Sequence, residues 1–167
     1  MGRASTSIIC MLTLTITLGC GGSKKDGPGM FQISVGKNDP TRVAQAQSFV
    51  DDYTNTMNRS VEKLNNVVDQ ATAMSAAEEL TKTAKRLREI AKEVDSMDKL
   101  TKTEHAQLAS KGLQTAMANF SKANERVLGK IKDGSVHGEA NKALQEAYLE
   151  FSKSSAELSE SLKAKEF

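Results

Sequence analysis

The chain has 167 residues, with 23 Lys and Arg against 21 Asp and Glu, 4% aromatic residues and no Trp. A near-neutral balance without a basic block lacks the electrostatic footprint of a nucleic-acid binder, and no nucleic-acid partner is expected. The only prolines, Pro28 and Pro40, precede the first long periodic segment, so the chain is biased toward helix, with a core of Leu, Val, Ile, Met and Ala.

Residues 1–19 read as an export signal. Arg3 is the only charge before Lys24, and from Ile8 to Leu18 every residue is apolar, Cys or Thr. Eleven residues make a helix of roughly 16 Å, about half of what a bilayer core requires. A positive tip, a short apolar stretch and a small residue before the cut describe a signal peptide. Glycines 21, 22, 27 and 29 come next, with Pro28 and no amphipathic pattern, which argues against a buried core helix. Cys10 leaves with the signal, so Cys20 is the one cysteine of the mature chain and no intramolecular disulfide is expected.

The residues Leu18-Gly19-Cys20, with the tether GGSKKDGPG behind them, resemble the lipobox of bacterial lipoproteins. Thr17 stands where that family favours an aliphatic residue. The resemblance implies a diacylglyceryl group on Cys20 as the mature N-terminus, hence a membrane partner through a lipid anchor. It implies a location in the bacterial envelope, on the outer face of the inner membrane or in the outer membrane. Two or more acyl chains give stable attachment, where one is marginal.

Residues 20–40 form the anchored linker, with five glycines, both prolines and an amphiphilic patch from Met30 to Val35. Such a chain averages about 25 Å end to end, which holds the downstream domain off the membrane. From Thr41 a helical seam begins: Val43, Val50, Met57, Leu64, Ala71 in one set and Ala46, Tyr53, Ser60, Val67, Met74 in the other. The same register would then bury Glu78, Thr81 and Lys85, so the seam breaks. Ser75-Ala-Ala-Glu78 has capping-box form, and a new helix is expected there with the series Leu80, Ala84, Leu87, Ile90, Ala91, Val94, Met97. One bent helix across 41–97 is the alternative. Thr101-Lys-Thr-Glu104 announces a third helix, whose face is Ala106, Ala109, Leu113, Ala116, Met117, Phe120, Ala123, Val127 and Ile131. Lys132 to Ser135 stops it, and a fourth carries Ala140, Leu144, Ala147, Tyr148, Phe151, Leu158 and Leu162, with Ser154, Ser155 and Ser161 beside them.

Helices at 41–74, 75–97, 101–132 and 136–165 predict an all-α fold, an antiparallel up-down-up-down four-helix bundle over 41–167. The unequal lengths predict that part of helix 1 projects beyond the bundle, where it pairs with a protein partner, another copy, the Met30–Val35 patch of the linker, or nothing.

Little in this layout carries chemistry. Di-iron bundles use Glu-x-x-His, but Lys102 and Gly134 stand three places before His105 and His137, the only histidines. Thirty-residue antiparallel helices would hold those two on the order of 40 Å apart. The stretch Met57-Asn-Arg-Ser-Val-Glu-Lys-Leu-Asn-Asn-Val-Val, with Ala76 to Lys92, loosely resembles the periplasmic b-type cytochrome four-helix bundles. That family ligates haem through a Met on helix 1, which Met57 matches, and a His near the end of helix 4, where Phe151 to Phe167 has none. The resemblance implies the bundle layout without the cofactor, and neither a cofactor nor a metal is expected. No Gly-x-Ser-x-Gly, Cys-x-x-Cys-His or phosphate-binding glycine loop occurs. The alternating charges Glu78, Glu79, Lys82, Lys85, Arg86 and Glu89 read as a solvated, ion-paired face. The expected function is that of a non-enzymatic envelope structural or interaction module. A bundle binding haem, a metal or an apolar small molecule, with the helix 4 serines lining its cavity, is the alternative.

Overall fold

The structure, a computed structural model, describes residues 40–99, 101 and 111–165, all within the compact unit Gly36–Phe167. Four helices hold nearly all of these residues: α1 (Pro40–Asn65), α2 (Gln70–Ser96), α3 (Lys111–Lys132) and α4 (Gly138–Ala164). Pro40 suits the first position of α1, where its missing N–H would have no partner and its φ is already helical.

The α1–α2 boundary corrects the sequence expectation. Helix 1 ends at Asn65 rather than 74, and α2 starts at Gln70 rather than 75. Two features move it. Val67 drops into the core at 4% exposure from a non-helical turn. Two residues on, Asp69 caps α2: its carboxylate accepts from the Thr72 backbone N–H at 2.9 Å, and the Thr72 hydroxyl accepts from the Asp69 N–H at 3.1 Å. Ser75 and Glu78 therefore lie inside α2, and Ala71 and Met74, expected on the seam of helix 1, are exposed on α2. The single bent helix is replaced by a hairpin of 26 and 27 residues, so α1 has no projecting segment.

The Thr72 hydrogen bonds hold the Asp69 carboxyl below the usual carboxylate range. A depressed folded value stabilises the fold above the unfolded value, and that stability is lost as pH falls through the folded one. Wild type is expected to melt above Asp69→Ala at neutral pH, with the gap closing progressively below about pH 4. Thermal melts of the two proteins from pH 7 down to pH 2 check this.

Consecutive helices alternate in direction. At one end Arg42 Nη2 donates to the Lys99 carbonyl at 2.8 Å, and Lys165 Nζ donates to the carbonyls of Asp95 and Met97 at 2.9 and 2.6 Å. At the other end Arg126 Nη1 donates to Asn65 Oδ1 at 2.9 Å. There Gln70, its amide oxygen turned toward His137, accepts from the His137 backbone N–H and donates to the His137 carbonyl. The fold is thus an all-helical, up-down four-helix arrangement. Its lateral order is set by size: the closest and longest helix pair is the parallel pair α2/α4, followed by α1/α3 and α1/α2.

Small residues explain the α2/α4 approach. Ala77, Ala84 and Ala91 recur every seven residues on α2, away from Thr83, whose hydroxyl meets Ser60 of α1 at 2.7 Å. Ala140, Ala147, Ser154 and Ser161 recur every seven on α4, all buried. They lie between the aromatic side of α4 and the side carrying Glu150 and Glu157, which pair with Arg88 of α2 at 2.5 and 3.4 Å. The large core residues Leu80, Leu87, Ile90 and Leu144 sit beside these strips with no exposed surface. Each such side chain contributes about 1.5–3 kcal/mol by burial.

The α3 face agrees with expectation where it is described. Ala116, Phe120, Ala123 and Val127 are buried, and Leu113 and Ile131 pack against the core. Residues 102–110, with the expected helix start, Glu104, His105, Ala106 and Ala109, lie outside the described residues. Gly134 sits in the α3–α4 turn at φ 81°, a conformation only glycine adopts without strain. Gly129 is different: it lies inside α3, and a Cβ there would meet nothing within 4 Å. Gly129→Ala is expected to stabilise the fold by about 0.5–1 kcal/mol, read as a higher urea midpoint at unchanged slope.

Candidate functional site

The residue that carries the sequence-based expectation of function, Cys20, lies outside the described residues, as does the linker. What the structure does describe is how the bundle disposes its polar and titratable groups.

His137 stands at the N-cap of α4 without a side-chain cap hydrogen bond. Its Nδ1 lies 2.5 Å from the Gln70 amide and 3.1 Å from the Gly134 carbonyl. The imidazole therefore ties the α3–α4 turn to the first residue of α2. Met57, the position matching a haem-ligating Met, is 1% exposed within the apolar core cluster. Among the described residues no group of three His, Cys, Asp or Glu is placed to hold a metal ion, and no helix is long and apolar enough to cross a membrane.

The most developed polar feature is the outer groove between α1 and α2. Asp52 of α1 and Arg86 of α2 straddle it, with Arg86 Nε 2.9 Å from Asp52 Oδ2. Arg86 Nη1 also reaches Glu89 at 2.7 Å and Glu93 at 3.2 Å. The hydrogen bonds to Asp52 and then Glu89 hold the guanidinium more firmly protonated than usual. On one side of this bridge lies a depression of about 300 Å³, lined by Gln45, Ser48, Phe49, Glu93, Ser96 and Met97. On the other lies one of about 450 Å³, lined by Thr56, Arg59, Glu79, Lys82 and Thr83. Both open to solvent. The groove holds no pair of groups arranged as nucleophile and base. Its bridge holds two helices in register, at a strength typical of half-exposed ion pairs, about 0–1 kcal/mol.

The sequence places Arg86 on an ion-paired face but does not name Asp52 as its partner. The two lie 34 positions apart, and their alignment depends on the turn at 66–69, which apolar spacing alone places too late. Of the helix 4 serines, Ser154 and Ser161 are buried and Ser155 is half-buried, and the Ser154 hydroxyl donates to the Glu150 carbonyl at 2.8 Å. Tyr148 and Phe151 meet Phe120 of α3, edge-on at 6.5 Å and stacked at 4.5 Å. Burial raises the Tyr148 phenol well above its ordinary value and pushes Tyr53 up to about 12. Neither is a source of protons near neutrality.

No protein-family model matches the chain, and neither a curated protein nor a solved structure matches it. The domain is a small all-helical unit.

Proposed function

We propose that this chain is an exported bacterial lipoprotein whose four-helix domain is a non-enzymatic interaction module, held off the membrane by the linker at 20–40. The observation that carries the reading is Cys20, the one cysteine outside the signal-like stretch, placed directly before a glycine-rich tether. The domain supports it by where its polar and small residues go: interhelical ties at both ends, a small-residue seam and a solvated charged surface. A ligand-binding bundle has less support, because Ser154 and Ser161 are buried and the two depressions beside the Arg86–Asp52 bridge are open surface grooves. The anchor makes a direct prediction. Cys20→Ser is expected to move the protein from the membrane fraction to the soluble or unprocessed pool, whereas Cys10→Ser leaves it membrane-bound. A Cys20→Ser protein that fractionates as wild type rules the anchor out.

A further inference from the structure

The outer groove between α1 and α2 carries opposite charge at its two ends. The Arg86–Asp52 bridge crosses its middle. Toward the start of α1 and the end of α2, three carboxylates, Asp52, Glu89 and Glu93, stand against the one guanidinium of Arg86, a balance of −2. Toward the turn between the helices, Arg59, Lys63 and Lys82 stand against Glu79, a balance of +2. Lys85 and Lys92 neighbour Arg88 on the side of α2 turned to α4, and Glu78 sits on the crest between the two sides. The groove charges reach outward: the side chains of Lys82, Glu89 and Glu93 are 71%, 60% and 58% exposed, and Arg59 and Lys63 are exposed.

Lys82 and Glu93 are separated by roughly 16 Å along α2. That is about two Debye lengths at physiological ionic strength, so the two ends do not neutralise each other through solvent. The bridge lies between them, Arg86 standing one turn after Lys82 and one turn before Glu89. A face of this polarity is complementary to itself when turned end for end, which is what a two-fold contact between identical copies does.

We propose that the α1/α2 face is the contact surface of a homodimer, with a second copy of this chain docked antiparallel on it. The two-fold axis lies in the plane of the face and crosses the helices at the Arg86–Asp52 bridge. The Glu89 and Glu93 end of each copy then meets the Arg59 and Lys82 end of the other. The depression at the acidic end includes Phe49 and Met97 in its lining, apolar surface for the stems of the incoming basic side chains. Two helices of 26 and 27 residues, each about 40 Å long and about 10 Å wide, offer about 800 Å², the share of one partner in an interface of standard size. The proposal rests on the interaction-module reading and gives that module its partner; it does not require an acyl chain on Cys20.

Sedimentation velocity tests it on the mature chain, residues 20–167, carrying Cys20→Ser so that neither a lipid nor a disulfide joins the copies. A dimer is expected at about 10 mM salt, with a Kd that rises at least about tenfold at about 1 M salt, where the Debye length is about 3 Å. Glu89→Lys with Glu93→Lys makes both ends basic, and Arg59→Glu with Lys82→Glu makes both ends acidic. Each double variant, its fold checked by circular dichroism, is expected to self-associate at least about tenfold more weakly. Mixed together they are expected to form a heterodimer, because basic ends then meet acidic ends at both sites. A wild type that stays monomeric up to about 1 mM overturns the proposal and leaves the Cys20 anchor untouched. A wild-type dimer that salt does not weaken, or a mixture of the two folded variants that stays monomeric, also overturns it.

Discussion

Leu87→Ala is expected to destabilise the bundle by about 2–5 kcal/mol, a large fraction of the roughly 5–15 kcal/mol that holds a typical domain folded. Leu87 has no exposed surface and sits at the middle of α2, the helix that touches both α1 and α4. Shortening it removes transfer energy and leaves a cavity between helices whose relative positions are fixed on two sides. The Ala and Ser seam on one side has little side chain with which to collapse into the space. Urea denaturation monitored by far-UV circular dichroism checks this: the midpoint falls, and the slope stays constant if the native state remains compact. A loss below about 1 kcal/mol would mean that the α2 core is looser than its burial indicates.

Ala147→Leu acts in the opposite sense at the opposite kind of site. Ala147 is 3% exposed in the heptad strip Ala140, Ala147, Ser154, Ser161 of the closest helix pair. Three extra heavy atoms have nowhere to go without pushing α2 and α4 apart, and overpacking of that kind costs about 1–3 kcal/mol. The displacement would also stretch the Arg88–Glu150 pair that flanks the seam. Leu149→Ala, two residues on and 57% exposed, is the matched control and should be near neutral. Thermal melts of the two variants side by side separate a seam effect from a general effect of altering α4.

Much of this architecture is legible in the sequence, and the reasons are residue-level. The seams Val50–Met57–Leu64, Leu80–Leu87–Val94 and Leu144–Phe151–Leu158 repeat at the helical period, and each of these residues is buried. The stop at Lys132–Ser135 is marked by glycine and a short polar run. Periodicity places the α1–α2 boundary too late, because Val67 continues the apolar spacing of helix 1. It fills its core position from a turn, where periodicity carries no information about backbone direction. Asp69 and Thr72 make a capping box as good as Ser75 and Glu78, and a choice between them needs tertiary context. The late boundary creates the projecting helix, and it also conceals the Asp52–Arg86 bridge, whose register depends on the turn. The lateral order of the helices is not legible either. The strips at 77, 84, 91 and at 140, 147, 154, 161 are visible as small residues, but only packing shows that they face each other.

The candidate site is legible in a different way. Cys20 stands out through chemistry that needs no fold: a signal-like stretch, a small residue and a single remaining cysteine. Among the described titratable residues of the bundle, the shifted ones have structural causes: the Thr72 hydrogen bonds for Asp69, the Arg88 hydrogen bond for Glu150 and desolvation for the two tyrosines. Perturbed groups gathered in a cleft would have argued for a reaction; these are dispersed over caps, ion pairs and the core. The reading of an anchored interaction module therefore rests on an N-terminal chemistry and a domain whose polar groups serve its own packing.

Mass spectrometry of the N-terminal peptide, from protein extracted out of the membranes of the producing bacterium, tests that reading most directly. The account predicts a chain beginning at Cys20, its sulfur carrying a diacylglyceryl group. A chain that begins elsewhere, or an unmodified Cys20 in protein that remains in the soluble fraction, would contradict it.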